Sequence, residues 1–141
     1  MTVHGAEMPV FLDSNIVLYA LGDDDKKSRA AVTLVEDSPW VSTQVINECS
    51  HVLRRKLQWS PVKVDEHLSA ILQLVQLADV GISEIRSAWA LAERYGFGHY
   101  DSLIIAAALQ TGSDTLYTED MQHGQVIEGR LTLINPWCDK T

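Results

Sequence analysis

Four acidic residues interrupt apolar or structured sequence at the expected ends of secondary-structure elements. Asp13 directly follows the apolar run "PVFL", and Asp120 follows "TLYT". Asp101 opens the apolar stretch "DSLIIAAALQT", and Glu48 lies in the first turns of the helix expected after "WVS". In open parallel sheets, ligands bind in the crevice beyond the carboxyl ends of the strands. We therefore expect Asp13, Glu48, Asp101 and Asp120 to share one crevice.

Carboxylates brought together in this way predict a site for a divalent cation. Two of them ~4 Å apart repel each other by about 4 kcal/mol at an effective dielectric constant of roughly 20, so a cluster must take up protons or hold a cation. Hard oxygen ligands suit Mg²⁺ or Mn²⁺, whereas the five histidines form no i, i+4 pair that would suit zinc. A metal held by acids lowers the pKa of a bound water and neutralises charge on a phosphodiester during hydrolysis.

Each acid also has a structural interpretation that involves no ligand. Asp13 and Asp101 suit helix N-caps, Glu48 could be a surface acid, and Asp120 could cap a short turn. For the four acids taken together this interpretation is weaker. It must explain by four unrelated reasons why they all fall at one edge of one sheet.

The elements that must position these acids alternate between short β-like runs and helical stretches. Strands are predicted at 9–12, 40–42, 115–118 and 131–134, and helices over 24–36, 43–57, 60–77, 83–96 and 101–111. This order predicts an α/β layer fold with a mainly parallel sheet. The last helix is apolar all round and should therefore be buried on every side.

The periodicity of the helix over 43–57 predicts where Glu48 points. Val45, Cys49 and Leu53 form an apolar stripe at helical spacing, and Glu48 lies at its flank. A carboxylate at the border of a buried face can point into a cleft. Arg55 falls on the same side of the helix.

Length, composition and charge limit the class of protein. A chain of 141 residues predicts a single domain over 1–141, and its longest apolar run, Leu103–Leu109, is far too short for a membrane helix. The N-terminus lacks the pattern of a signal peptide, and the two cysteines need not pair, so a cytoplasmic protein is expected. A net charge of −8 argues against a general nucleic-acid coating protein. It leaves open an enzyme that acts on a polyanion through bound cations.

Five sequence blocks, taken together and in order, resemble a known family. "FLDSNIVLYA", "STQVINE", "YDSLIIAAAL", "YTEDMQHG" and "LTLINPW" resemble a PIN domain of the VapC-type toxin ribonucleases, over residues 9 to 137. The resemblance implies a metal-dependent endoribonuclease on a three-layer α/β/α fold, acting as the toxin of a type II toxin–antitoxin pair. It also implies an RNA substrate, a homodimer, and a cognate antitoxin that binds across the active-site groove.

The resemblance assigns roles to individual residues as well. Asp13, Glu48, Asp101 and Asp120 match the family's acidic cluster around Mg²⁺ or Mn²⁺. Asn15 and Thr118 match polar positions that orient carboxylates, and Ser14 stands where many relatives carry threonine. Glu119 lies beside Asp120, and the spacing favours Asp120 as the inward acid. Among the basic residues, Arg55 is the best placed to contact RNA.

Two alternatives remain beside this interpretation. A phosphatase of the haloacid-dehalogenase type also places an aspartate after its first strand, but it needs a second acid two residues later, where this chain has Asn15. A PIN-like module that binds a protein partner without nuclease activity is the other alternative. Because all four acids are present, nothing in the sequence indicates that activity has been lost.

Overall fold

The core of the fold is a six-stranded sheet in a computed structural model that describes residues 9–138. The strands are β1 (Val10–Leu12), β2 (Trp40–Ser42), β3 (Gln76–Ala78), β4 (Thr115–Tyr117), β5 (Val126–Ile127) and β6 (Leu131–Ile134). Their order across the sheet is β3-β2-β1-β4-β6-β5. All neighbouring pairs are parallel except β5 and β6, which pair antiparallel.

Helices lie on both sides of this sheet. They are α1 (Ser14–Leu21), α2 (Asp25–Glu36), α3 (Thr43–Arg55), α4 (Pro61–Leu72), α5 (Ile82–Tyr95) and α6 (His99–Gln110). Four of them begin at a side chain that accepts a hydrogen bond from a backbone N–H of the first turn: Asp13 for α1, Asp24 for α2, Ser42 for α3 and Ser60 for α4. The predicted α/β class with a mainly parallel sheet is confirmed.

The buried core joins the central strands to α6. Phe11 and Leu12 of β1 and Leu116 of β4 are fully buried, and residues 102–108 of α6 are buried throughout. Burial of a large apolar side chain contributes roughly 1.5–3 kcal/mol. The expectation of a helix buried on every side is therefore confirmed for residues 102–108, whereas the first turn is more exposed.

The strand order creates a crevice at the end of β1. The chain leaves β1 towards β2 on one side, while β4 pairs with β1 on the other. Such a reversal leaves a gap between the connections at the carboxyl ends of the strands, where open α/β sheets bind ligands. Asp13 follows β1 and Thr118 follows β4, so both lie at this point.

Several predicted boundaries were wrong. Helix α4 ends at Leu72 instead of continuing to 77, because residues 76–78 leave the helix and pair with β2 as the edge strand β3. Helix α1 and the two-residue strand β5 were not predicted. Helix α6 begins at His99 with Gly98 as its N-cap, so Asp101 lies within the first turn and is not the cap.

None of the helices within residues 9–138 has the length and apolar character needed to cross a membrane. Cys49, which is buried, and Cys138, which is partly buried, are both free thiols.

Candidate active site

Asp13 is a buried carboxylate held by Ser14 at the start of α1 and by Thr118, which follows β4. It caps α1, where its Oδ1 accepts a hydrogen bond from the Ser14 backbone N–H at 2.6 Å. The Thr118 hydroxyl donates to its Oδ2 at 2.8 Å, and only 2% of the residue is exposed. Asp13 is therefore both the N-cap considered for it and a charged group at the crevice.

The surroundings of Asp13 disfavour the ionised form of its carboxyl group. Burial raises its pKa from 3.8 to about 6, although the hydrogen bonds from Thr118 and Ser14 act in the opposite direction. The negative charges of Glu48 and Asp120 raise the pKa further. The carboxylate thus lies where a nearby cation would be favourable.

The turn after β4 is fixed by a network that includes Asn15. The Asn15 side-chain amide donates from Nδ2 to Asp120 Oδ2 at 2.9 Å, and its Oδ1 accepts from the Glu119 backbone N–H at 3.2 Å. The Asp120 N–H in turn donates to the Thr118 hydroxyl at 3.2 Å. Asn15 and Thr118 therefore orient Asp120 and Asp13, which are the contacts that the family resemblance implies for them.

Glu48 and Asp101 come from two helices that face the same crevice. The Gln44 side chain donates to Glu48 Oε2 at 3.3 Å, across one turn of α3. Asp101 is half-buried, and burial followed by the charges of Asp120 and Glu48 raises its pKa. The charges of Glu48 and Asp120 therefore act on both Asp13 and Asp101.

Glu119 faces a different set of partners. Its carboxylate accepts hydrogen bonds from the Tyr19 hydroxyl at 2.7 Å and from the Lys27 ammonium. Partial burial opposes ionisation, but the bonds from Lys27 and Tyr19 hold the pKa of Glu119 below its usual value. The Lys27 ammonium also lies 4.7 Å from the centre of the Tyr19 ring and 5.1 Å from that of Trp137. The structure thus favours Asp120 over Glu119 as the acid of the crevice.

A cleft of about 520 Å³ opens beside Glu48. Its lining residues come from α1, α3 and α6, and they are Ser14, Gln44, Asn47, Glu48, His51, Val52 and Tyr100. Arg55 is exposed on the next turn of α3 and does not line this cleft. Sequence reasoning did not single out Asn47, His51 or Tyr100, although Asn47 and Tyr100 directly precede Glu48 and Asp101.

A family model of the PIN domain matches residues 10–127, which is most of the sequence. This chain belongs to the PIN domain family. No curated protein matches the sequence of this PIN domain.

Solved structures share the fold of this PIN domain at low sequence identity. VapC20 of Mycobacterium tuberculosis, a toxin that cleaves the sarcin-ricin loop, is 18% identical with a TM-score of 0.64, over 79% of this chain and 89% of that chain. DNA-bound VapBC of Salmonella typhimurium is 17% identical with a TM-score of 0.67, over 89% and 96% of the two chains. A toxin–antitoxin complex of Klebsiella pneumoniae is 16% identical with a TM-score of 0.69, over 91% and 98%.

Nucleases of the PIN domain family typically use a divalent metal ion. Among the residues that the structure describes, no three or more His, Cys, Asp or Glu side chains are arranged to hold a metal together. The donor set nevertheless fits such an ion by its chemistry, because it consists of carboxylate oxygens, which hard cations prefer. The buried Asp13 also gains from a nearby positive charge, as its raised pKa shows. The carboxylates of the crevice therefore match such an ion in ligand type.

Proposed function

We propose that this PIN domain is a metal-dependent endoribonuclease of the VapC toxin type. The observation that carries the proposal is the buried carboxylate of Asp13, which shares the crevice with the charges of Glu48 and Asp120. A buried acid surrounded by like charges is costly to a fold, and such arrangements concentrate at functional sites. A divalent cation at this point offsets the repulsion.

The proposal assigns a role to each residue of the crevice. Asp13, Asp101 and Asp120 bind Mg²⁺ or Mn²⁺, and Glu48 binds directly or through water and helps to position the attacking water. When bound, the ion supplies a water of lowered pKa and a positive charge beside the phosphodiester. Asn15 and Thr118 hold Asp120 and Asp13 in orientation, while the Ser14 N–H fixes the remaining oxygen of Asp13.

The remaining features of the proposal rest on the shared fold and on the family resemblance. RNA is the substrate, Arg55 contacts its backbone, and a cognate antitoxin blocks the groove. Structures with the same fold include toxin–antitoxin complexes, which supports a partner of that kind. The homodimer stays a prediction.

The direct test is the cleavage of defined single-stranded RNAs by purified protein with Mn²⁺ or with EDTA, with mapping of the cut ends. The wild-type protein should cleave only with the metal. Asp13→Asn should lower cleavage by at least about 100-fold, because it removes a metal ligand while keeping a side chain of the same shape. Glu66→Gln, which neutralises an exposed acid on α4, is the matched control and should leave the rate unchanged. Wild-type rates in Asp13→Asn would refute the assignment of the site.

One observation favours a second candidate, a PIN-like module that binds a protein partner without cleaving RNA. In the part of the chain that the structure describes, no three or more His, Cys, Asp or Glu side chains are already arranged to hold a metal ion. The two candidates differ in one property, since a binding module has no need of a divalent ion. Metal binding therefore separates them even before an RNA substrate is found.

A further inference from the structure

We propose that the cleft beside Glu48 binds one unpaired nucleobase of the RNA, next to the phosphodiester that is cleaved. This inference rests on the proposed nuclease function and adds a specificity site to it. The cleft shares Glu48 with the candidate active site, and Ser14 in its wall directly follows Asp13. A nucleotide whose phosphate lies at the acids therefore has its base within reach of the cleft.

Helix α3 presents a continuous polar face to the cleft. Gln44, Asn47, Glu48 and His51 fall at positions i, i+3, i+4 and i+7, which lie on one side of a helix. The opposite stripe of the same helix, around Cys49, is buried in the core. Because the core holds the helix in one orientation, the polar face has a fixed position relative to Glu48.

Tyr100 supplies an aromatic surface on the other side of the cleft. It lies in the first turn of α6 beside Asp101, and 60% of it is exposed to solvent. Its ring packs edge-on against His99 with centroids 5.2 Å apart. Proteins bind unpaired RNA bases by stacking them on exposed aromatic side chains of this kind.

The amide side chains provide groups that can distinguish bases. Asn47 is exposed at the cleft and carries both a donor and an acceptor, which can pair with the edge of a base. Gln44 donates one hydrogen bond to Glu48 from its Nε2, so its carbonyl oxygen and its second amide hydrogen remain available. Proteins that recognise single-stranded RNA combine an aromatic side chain, on which a base stacks, with polar groups that hydrogen-bond to the edge of that base. Bases within a duplex are stacked and paired, so they are not available for this kind of contact.

The size of the cleft agrees with one small planar ligand. Its volume of about 520 Å³ falls within the range of roughly 300–1,000 Å³ for small-molecule sites. It is therefore large enough for a base.

The test combines a change in the protein with a change in the RNA. A short RNA that the wild-type protein cleaves is made in versions with an abasic nucleotide at each position around the cut. Tyr100→Ala should lower kcat/KM for the intact RNA by roughly 10-fold or more, mainly through KM, since stacking on an aromatic side chain contributes roughly 1–3 kcal/mol per base. One of the abasic RNAs, which lacks the base that stacks on Tyr100, should already be cleaved more slowly by the wild-type protein. On this RNA, Tyr100→Ala and the wild-type protein should have the same kcat/KM.

Three variants complete the experiment. Tyr100→Phe keeps the ring and should cleave as the wild type does, while Asn47→Ala should change the base preferred at the coupled position. Trp89→Ala removes an aromatic residue that is 56% exposed on α5 and lies outside the cleft, so it is the matched control and should have no effect.

The outcomes separate this inference from the function on which it rests. If the wild-type protein cleaves RNA and Tyr100→Ala lowers the rate equally for intact and abasic RNA at every position, the base site is wrong and the nuclease assignment stands. Unchanged cleavage in Tyr100→Ala leads to the same conclusion and leaves the cleft to a protein partner. If the wild-type protein cleaves no RNA with Mn²⁺, the proposed function fails and the base site fails with it.

Discussion

At the scale of the residue, Asp13 is the side chain on which the account depends. It is the N-cap of α1, yet it is buried beside two other acids, and its pKa rises to about 6. A helix cap alone does not require this burial, because caps are usually found at the surface and an asparagine or serine can serve as well. The unfavourable position is explained if the group is retained to bind a cation.

This burial predicts a pH dependence of the metal-free protein. Since the pKa of Asp13 is higher in the fold than the usual value of 3.8, its contribution to stability is complete below pH ~4 and is lost as the pH rises through about 6. The difference between the two pKa values corresponds to about 3 kcal/mol. In EDTA, Asp13→Asn should therefore be more stable than the wild type at pH 8, and this advantage should disappear towards pH 4.

Urea unfolding of both proteins across this pH range measures the effect. Groups that do not interact with Asp13 cancel in the difference between the two proteins, which therefore reports Asp13 and its interaction with Glu48 and Asp120. A difference that is independent of pH would show that the charge of Asp13 is not unfavourable in the fold.

At the scale of the element, α3 positions Glu48 and α6 positions Asp101, and the start of α3 is fixed by a side chain. Helix α3 begins at Ser42, whose buried hydroxyl accepts a hydrogen bond from the Val45 N–H at 3.1 Å. This cap sets where the first turn begins and hence which direction Glu48 faces. Helix α6 reaches the same edge through its buried packing, with Asp101 in its first turn.

Loss of the Ser42 cap should therefore destabilise the fold. Ser42→Ala removes the acceptor for the Val45 N–H, and a loss of about 1–2 kcal/mol is expected. Ser83→Ala is the control, because Ser83 is an exposed serine in the first turn of α5 and is not its cap. The free energy of unfolding in urea measures both changes, and equal values for the two variants would contradict this role of Ser42.

The elements differ in how well local sequence predicts them. Helices α2, α3 and α4 start close to their predicted first residues, and in the structure the side chains of Asp24, Ser42 and Ser60 cap these starts. Strand β3 was missed because Gln76–Ala78 follows helical sequence directly, and its formation depends on pairing with β2, which local sequence does not show. The cleft beside Glu48 was missed for the same reason, since Tyr100 reaches it only through the packing of α6.

At the scale of the whole molecule, the protein and its proposed substrate both carry negative charge. The chain carries a net charge of −8, yet the proposed substrate is a polyanion. General nucleic-acid binding relies on lysine and arginine that neutralise phosphates. Here the acids of the crevice would recruit the positive charge as a divalent ion at the point of cleavage, so activity should depend on that ion more than on a basic surface.

The most direct test of this claim is the binding of Mn²⁺ to the metal-free protein, followed through its stability. At a free concentration 100 times the dissociation constant, a bound ion should stabilise the wild-type protein by about 2.7 kcal/mol. Glu66→Gln should respond equally, whereas Asp13→Asn and Asp120→Asn should gain little or nothing. A wild-type protein whose unfolding is unchanged at any Mn²⁺ or Mg²⁺ concentration, or an Asp13→Asn variant that is stabilised to the same extent, would contradict the account.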